Sequence, residues 1–217
     1  MDLGPSNKYA GTMTRNIHAR NDSDTSMSIV NAICLILFGG LGLYASFMLI
    51  QSELILLKDD GATLGCDVNP LVACSSSLIA PESSLFGTPN SVIGIAVFTV
   101  FITLGVLLAS RTLLPRWVWW GWVMGTGAGL IYVGYFVYLS VSHFRTLCPY
   151  CMLTWVAFIG VASIVWTQAA AGGQLGDKVM SAGKTLRSLW WVIAVGIVAL
   201  IAIVILIVLR DRVALLF

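Results

Sequence analysis

Five long apolar runs leave this chain few folds: Ile29 to Leu57, Pro89 to Ala109, Trp117 to Val141, Cys148 to Thr167 and Trp190 to Leu209. Each reaches the roughly 20 residues a helix needs to cross the hydrocarbon of a bilayer. None carries Asp, Glu, Lys or Arg at its centre, which speaks against ion transport. A sequence that is 58% hydrophobic and 10% charged lies outside the soluble globular range. The expected architecture is an all-α integral membrane protein with five transmembrane helices. No basic patch interleaved with aromatics and no phosphate-cradling glycine motif occurs, so nucleic acid is not an expected partner.

The connections set an expected orientation. Lys8, Arg15 and Arg20 in the polar tail, Arg111 with Arg116, and Lys178, Lys184 with Arg187 all fall on one side, against Lys58, Arg145, Arg210 and Arg212 on the other. Excess Lys and Arg mark the cytoplasmic side. The N-terminus is therefore expected inside, and the loop from Asp59 to Thr88 outside. Residues 1–28 read as a cytoplasmic tail and 29–167 as a core of four spans with the outward loop 59–88. Residues 168–217 read as a linker, low in information from Ala169 to Ser188, a fifth span and a short outward tail. The first run is too long for a signal-peptide core and lacks a small-residue cleavage site, so it is expected to stay as a helix. Trp117, Trp119, Trp120, Trp122, Trp190 and Trp191 read as an interfacial aromatic belt, and Gly121, Gly125, Gly127 and Gly129 as a close-packing surface.

Four of the five cysteines fall on the outward side: Cys66 and Cys74 in the loop, Cys148 and Cys151 where the fourth span begins. In Cys148-Pro149-Tyr150-Cys151, proline suits a first helical turn because its missing N–H would be unpaired there anyway. Cys148 then stands near the N-cap, and Cys151 shares its face within bonding reach. Unpaired amides and the positive end of the helix dipole favour a thiolate at Cys148, with Arg145 and His143 expected to add to the effect. Cys34, in the first span near the opposite side, reads as a small hydrophobe.

Two structural alternatives compete with chemistry here: a zinc site built from both pairs, and two inert disulfides. The x7 spacing from Cys66 to Cys74 is loose for zinc, and an inert disulfide needs no reactive cysteine at a helix start beside a membrane. A relay fits better. A mobile loop pair exchanges with a fixed membrane pair through mixed disulfides. Reoxidising a DsbA-type protein, with a potential near about −120 mV, requires an acceptor of higher potential. No haem, flavin or iron–sulfur ligand set is visible, which leaves a lipid-dissolved quinone, menaquinone or ubiquinone, and no metal.

The sequence resembles the vitamin K epoxide reductase family, and specifically its bacterial members. The resemblance is carried by Cys66-Asp67-Val68-Asn69-Pro70-Leu71-Val72-Ala73-Cys74-Ser75-Ser76, by Phe86-Gly87-Thr88-Pro89-Asn90-Ser91 leading into Gly94, and by Cys148-Pro149-Tyr150-Cys151-Met152-Leu153-Thr154-Trp155. It covers most of Ile29 to Thr167. It implies a four-helix bundle around a quinone pocket with the fifth helix peripheral, in a bacterial plasma membrane. By position, Cys66 and Cys74 look like the shuttle pair and Cys148 and Cys151 like the redox centre, Cys151 facing the quinone and Cys148 exchanging with the loop. Asn90 matches a position that hydrogen-bonds a quinone carbonyl, and Phe86, Met152 and Trp155 would line the ring. Trp155 stands where vertebrate members carry tyrosine, and Ala80 where many members carry serine. Many bacterial relatives continue into a thioredoxin-like domain. This sequence ends at Phe217, so a separate DsbA-like thioredoxin-fold partner is expected to dock between Asp59 and Glu82. A DsbB-like four-helix oxidoreductase is the nearest alternative, and it fits five spans and this order of cysteine motifs less well.

Overall fold

The structure is a computed structural model that describes residues 27–59, 63–67, 72–78, 84, 85 and 87–210. The expectations placed on the polar tail, on Phe86, on Ala80 and on much of the docking segment from Asp59 to Glu82 lie outside the described residues. Each of the five apolar runs forms a helix long and apolar enough to span a membrane. In chain order these are α1 (Ile29–Lys58), α3 (Asn90–Ala109), α4 (Arg116–Leu139), α5 (Pro149–Ala171) and α7 (Trp190–Val208). The loop after α1 holds a single helical turn, α2 (Ser75–Leu78), and a two-residue hairpin of β1 (Ser84–Leu85) and β2 (Thr88–Pro89). A short α6 (Asp177–Leu186) lies between α5 and α7.

Prolines set three of the starts. Pro89 and Pro115 occupy the N-cap positions of α3 and α4, and Pro149 occupies the first turn of α5. There the absent N–H breaks no intrahelical bond. The third span runs further than Val141: α4 continues through a π-helical turn, Ser140–Phe144, and ends where Arg145 adopts a left-handed conformation (φ 52°). That cap turns the chain directly into Cys148.

Without water between them, helices in lipid associate through close packing and interhelical hydrogen bonds. An antiparallel seam joins α1 to α3. A Cβ at Gly39 would lie 2.8 Å from the Ile102 side chain and one at Gly105 2.9 Å from Ile36, while one at Gly42 would enter the Phe98 ring. The glycine surface expected on α4 is only half used: Gly129 receives the Phe158 ring and Gly127 faces Trp166, but Gly121 and Gly125 meet nothing. Between α4 and α5, Trp166 Nε1 donates to Thr126 Oγ1 at 3.0 Å. Helix α5 is the central element, with Ala157 to Val165 buried almost without a break, and α7 packs on it as the outermost span.

The indole belt divides in two. Trp117 is 75% exposed, and Trp120 and Trp191 also point outward. Trp119 and Trp122 turn inward, Trp122 stacking on Phe101 with centroids 6.3 Å apart. Trp190 Nε1 donates to Asn31 Oδ1 at 3.1 Å, tying α7 to the start of α1. Part of the stretch read as a featureless linker is helix: α5 runs to Ala171, and α6 packs back on it. A ten-residue helix is marginal alone. Here a Cβ at Gly183 would collide with the Ala170–Ala171 backbone, so the two helices touch at glycine.

Candidate active site

The end of α1 and the starts of α3 and α5 meet at one end of the bundle, and the loop after α1 folds over them. Asp67 organises that loop. Its carboxylate accepts from the backbone N–H of Cys74 at 2.7 Å, Ser75 at 3.2 Å and Leu64 at 3.4 Å, gathering both flanks of the loop and capping α2. Burial works to raise its pKa, but the Ser75, Cys74 and Leu64 amides together hold it below the ordinary carboxylate value. A bridge between Val72 and Leu147, with the Ala73 N–H donating to the Leu147 oxygen at 3.1 Å, lays the loop beside the residue preceding Cys148.

Those two devices bring the sulfurs together. Cys66 and Cys74 form a disulfide, and Cys148 and Cys151 are free thiols. Cys148 Sγ lies 3.3 Å from Cys74 Sγ. Cys66, Cys74 and Cys148 share one small apolar cluster with Leu49, Leu56 and Leu64, and Cys151 packs against it. Cys148 is the N-cap residue of α5, as its proline predicts, and is 3% exposed. Its thiol titrates below the ordinary range. A hydrogen bond with the Cys151 thiol contributes most, burial opposes it, and the Cys151 and Tyr150 amides and the Ser77 hydroxyl add to the lowering. Arg145 and His143 do not contribute as expected: both are exposed, turned outward where the π-helical turn ends in the left-handed cap.

Beside the thiols is a partly open cavity of about 50 Å³, walled by Cys148, Cys151, Leu49, Glu53, Asn90 and Ser91 with Phe136 and Phe144. The Ser91 hydroxyl donates to Glu53 Oε2 at 3.1 Å. An enclosed ring the size of benzene occupies a cavity of about 150 Å³, so holding one fully buried requires this cavity to widen. A second cavity, of about 110 Å³, opens beside Leu108, Arg111 and Trp119. It lies the length of α3 away, roughly 30 Å at 1.5 Å per residue, and shares no wall with the sulfurs.

A scan against family models matches residues 33–167 to the vitamin K epoxide reductase family. The chain belongs to that family. No individual curated protein and no solved structure gives a match. The vitamin K epoxide reductase family consists of quinone-linked membrane thiol oxidoreductases, and the matched span runs from α1 to α5, leaving α6 and α7 outside it.

Of the residues singled out from sequence, Cys66, Cys74, Cys148, Cys151 and Asn90 meet at this site. Met152 and Trp155 do not line the cavity: Trp155 is buried within the main core and Met152 packs against that core. Cys34 is a half-buried thiol against the same core. Cys66, Asp67 and Cys74 place donor atoms within 4.8 Å of one another, a grouping able to hold a metal ion. The disulfide engages both sulfurs, however, and backbone amides engage the carboxylate. Glu53 and Ser91 were missed. The signal for Glu53 was present, since it is the one acidic residue within the five spans.

Proposed function

We propose that this protein oxidises the dithiol of a separate DsbA-like, thioredoxin-fold protein and passes two electrons to menaquinone or ubiquinone, supporting disulfide formation in exported proteins. The observation that carries this reading is the 3.3 Å approach of Cys148 to Cys74. The partner's thiolate attacks the Cys66–Cys74 disulfide, and exchange leaves the partner oxidised and the loop pair as thiols. Cys74 then displaces Cys151 from a Cys148–Cys151 disulfide, forming a Cys74–Cys148 bond. Cys66 displaces Cys148 in turn, restoring the Cys66–Cys74 disulfide and leaving two thiols at the start of α5. Those thiols surrender two electrons to the quinone and release two protons as the Cys148–Cys151 bond reforms, and the quinone takes up two protons to become hydroquinone.

Each thiol–disulfide step needs a thiolate with local access to a disulfide sulfur. A lowered Cys148 pKa makes it a good leaving group when Cys66 attacks. Asn90, on the cavity wall, is suited to donate to a quinone carbonyl. The reading places the cysteine end on the outer face of a bacterial plasma membrane, with the N-terminus inside. Arg116, Lys184 and Arg187 at the opposite end support that orientation. No resident metal takes part in this scheme. The test is quinone reduction by dithiothreitol with purified full-length protein: Cys148→Ala and Cys151→Ala are each expected to abolish it. A double variant that reduced quinone at the unmodified protein's rate would end the proposal.

A further inference from the structure

Glu53 stands out because it is half-buried near the end of α1, in a helix long and apolar enough to span a membrane, where ionisable side chains are rare and often functional. It is the one acidic residue of the five spans, and it lies on the wall of the cavity that Cys148, Cys151 and Asn90 also line. Its contacts are unlike those of a structural carboxylate. Asp67, which is structural, takes three backbone amides. Glu53 has one hydrogen-bond partner among the described residues, the Ser91 hydroxyl, and no cation pairs with it there. Ser91 and Asn90 are consecutive at the start of α3, so the helix that offers Asn90 to the cavity also holds the carboxylate in place.

The chemistry of the cavity needs such a group. Two thiols becoming a disulfide release two protons, and a quinone becoming hydroquinone takes up two. Cys148 is the buried N-cap residue of α5, beneath the loop, while Cys151 lies one turn into α5 and packs against apolar side chains. We propose that Glu53 is the proton-transfer group of the redox centre, accepting the Cys151 thiol proton as the Cys148–Cys151 bond forms and delivering it to the nearer quinone oxygen. The electron pair passes from the sulfurs to the quinone, the Cys148 proton is released to solvent, and the second quinone oxygen takes up a proton from solvent. Glu53 begins and ends the cycle ionised. This inference rests on the quinone-reducing reading above.

The experiment uses full-length protein in proteoliposomes with dithiothreitol and a short-chain ubiquinone. Glu53→Gln keeps the shape and an acceptor for Ser91 but cannot carry the proton. Its kcat is expected to fall about 100-fold, the usual scale for losing a general acid–base group, with quinone KM nearly unchanged. Alkylation trapping is expected to find Cys148 and Cys151 accumulated as thiols, since exchange with the loop needs no Glu53. Glu53→Asp is expected to recover at least a tenth of the lost rate, a rescue that a purely packing role would not produce. Unmodified kcat in the Gln variant overturns the inference, as does an Asp variant no faster than Gln. Should the Gln variant not fold, Asp alone decides: a lowered kcat at constant KM supports the inference, and an unchanged kcat overturns it. Quinone reduction surviving in Cys148→Ala or Cys151→Ala defeats the functional reading itself, whereas dead cysteine variants beside an active Gln variant defeat this inference alone.

Discussion

Removing the Asp67 carboxylate should uncouple the two cysteine pairs without touching a sulfur. Its three amide contacts, at 2.7, 3.2 and 3.4 Å, range from short and charge-assisted to marginal. A hydrogen bond to a charged group contributes about 1.5–3 kcal/mol, so the first contact with partial support from the others sets a loss of about 2 kcal/mol for Asp67→Ala on a partly exposed loop. At 1.4 kcal/mol per factor of ten, the docked loop becomes about 30-fold less favoured against undocked forms. Asp67→Asn keeps an acceptor for the Cys74 and Ser75 amides and should lose about half that free energy. The assay is formation of the Cys74–Cys148 mixed disulfide in a Cys151→Ala background, resolved by non-reducing electrophoresis after alkylation. The expected order of rates is unmodified, then Asn, then Ala. The pH dependence has a definite sign. The folded-state pKa is depressed, so the contribution is present above the unfolded carboxylate value and is lost as pH falls through the lower, folded value. Docking should therefore be insensitive to pH near neutrality and fail only in acid. If Asp67→Ala formed the mixed disulfide at the unmodified rate, the carboxylate would not be what places Cys74.

Other consequences can be checked separately. The pH midpoint for alkylating Cys148 should lie below that of an ordinary thiol and move up in Cys151→Ala, which removes the largest lowering contribution; a midpoint in the ordinary range would contradict the hydrogen-bonded assignment. Gly42→Leu should destabilise the bundle by about 1–3 kcal/mol by driving a side chain into Phe98, whereas Gly121→Leu, facing open space, should be near neutral by thermal melting in detergent. Thr126→Val removes the acceptor of Trp166 Nε1 and should cost about 0.6–1.7 kcal/mol on the same assay; no loss would mean that this interhelical bond does not hold α4 to α5.

The residues differ in how far each could be read without coordinates. Cys148 at a helix start was legible because proline at the next position fixes the local backbone. Trp119 and Trp122 were not separable from Trp117 and Trp120, since all four share one short segment and only packing against other side chains, as of Trp122 on Phe101, separates them. Asp67 stood within a recognised motif, yet its role as an amide acceptor depends on a loop closure eight residues wide. Glu53 was passed over because the end of α1 reads from sequence as an extension past the hydrocarbon, until α3 brings Ser91 against it.

The amino-acid order by itself determined five spans, their direction relative to one another, and the presence of two cysteine pairs at a common end, because apolar run length and helix-start chemistry are local properties. Tertiary structure alone decided that Cys74 rather than Cys66 faces Cys148, that a carboxylate shares the cavity with the thiols, and that Trp155 belongs to the core. Those outcomes depend on the glycine seam between α1 and α3 and on the bridge from Val72 to Leu147, contacts between segments far apart in the chain.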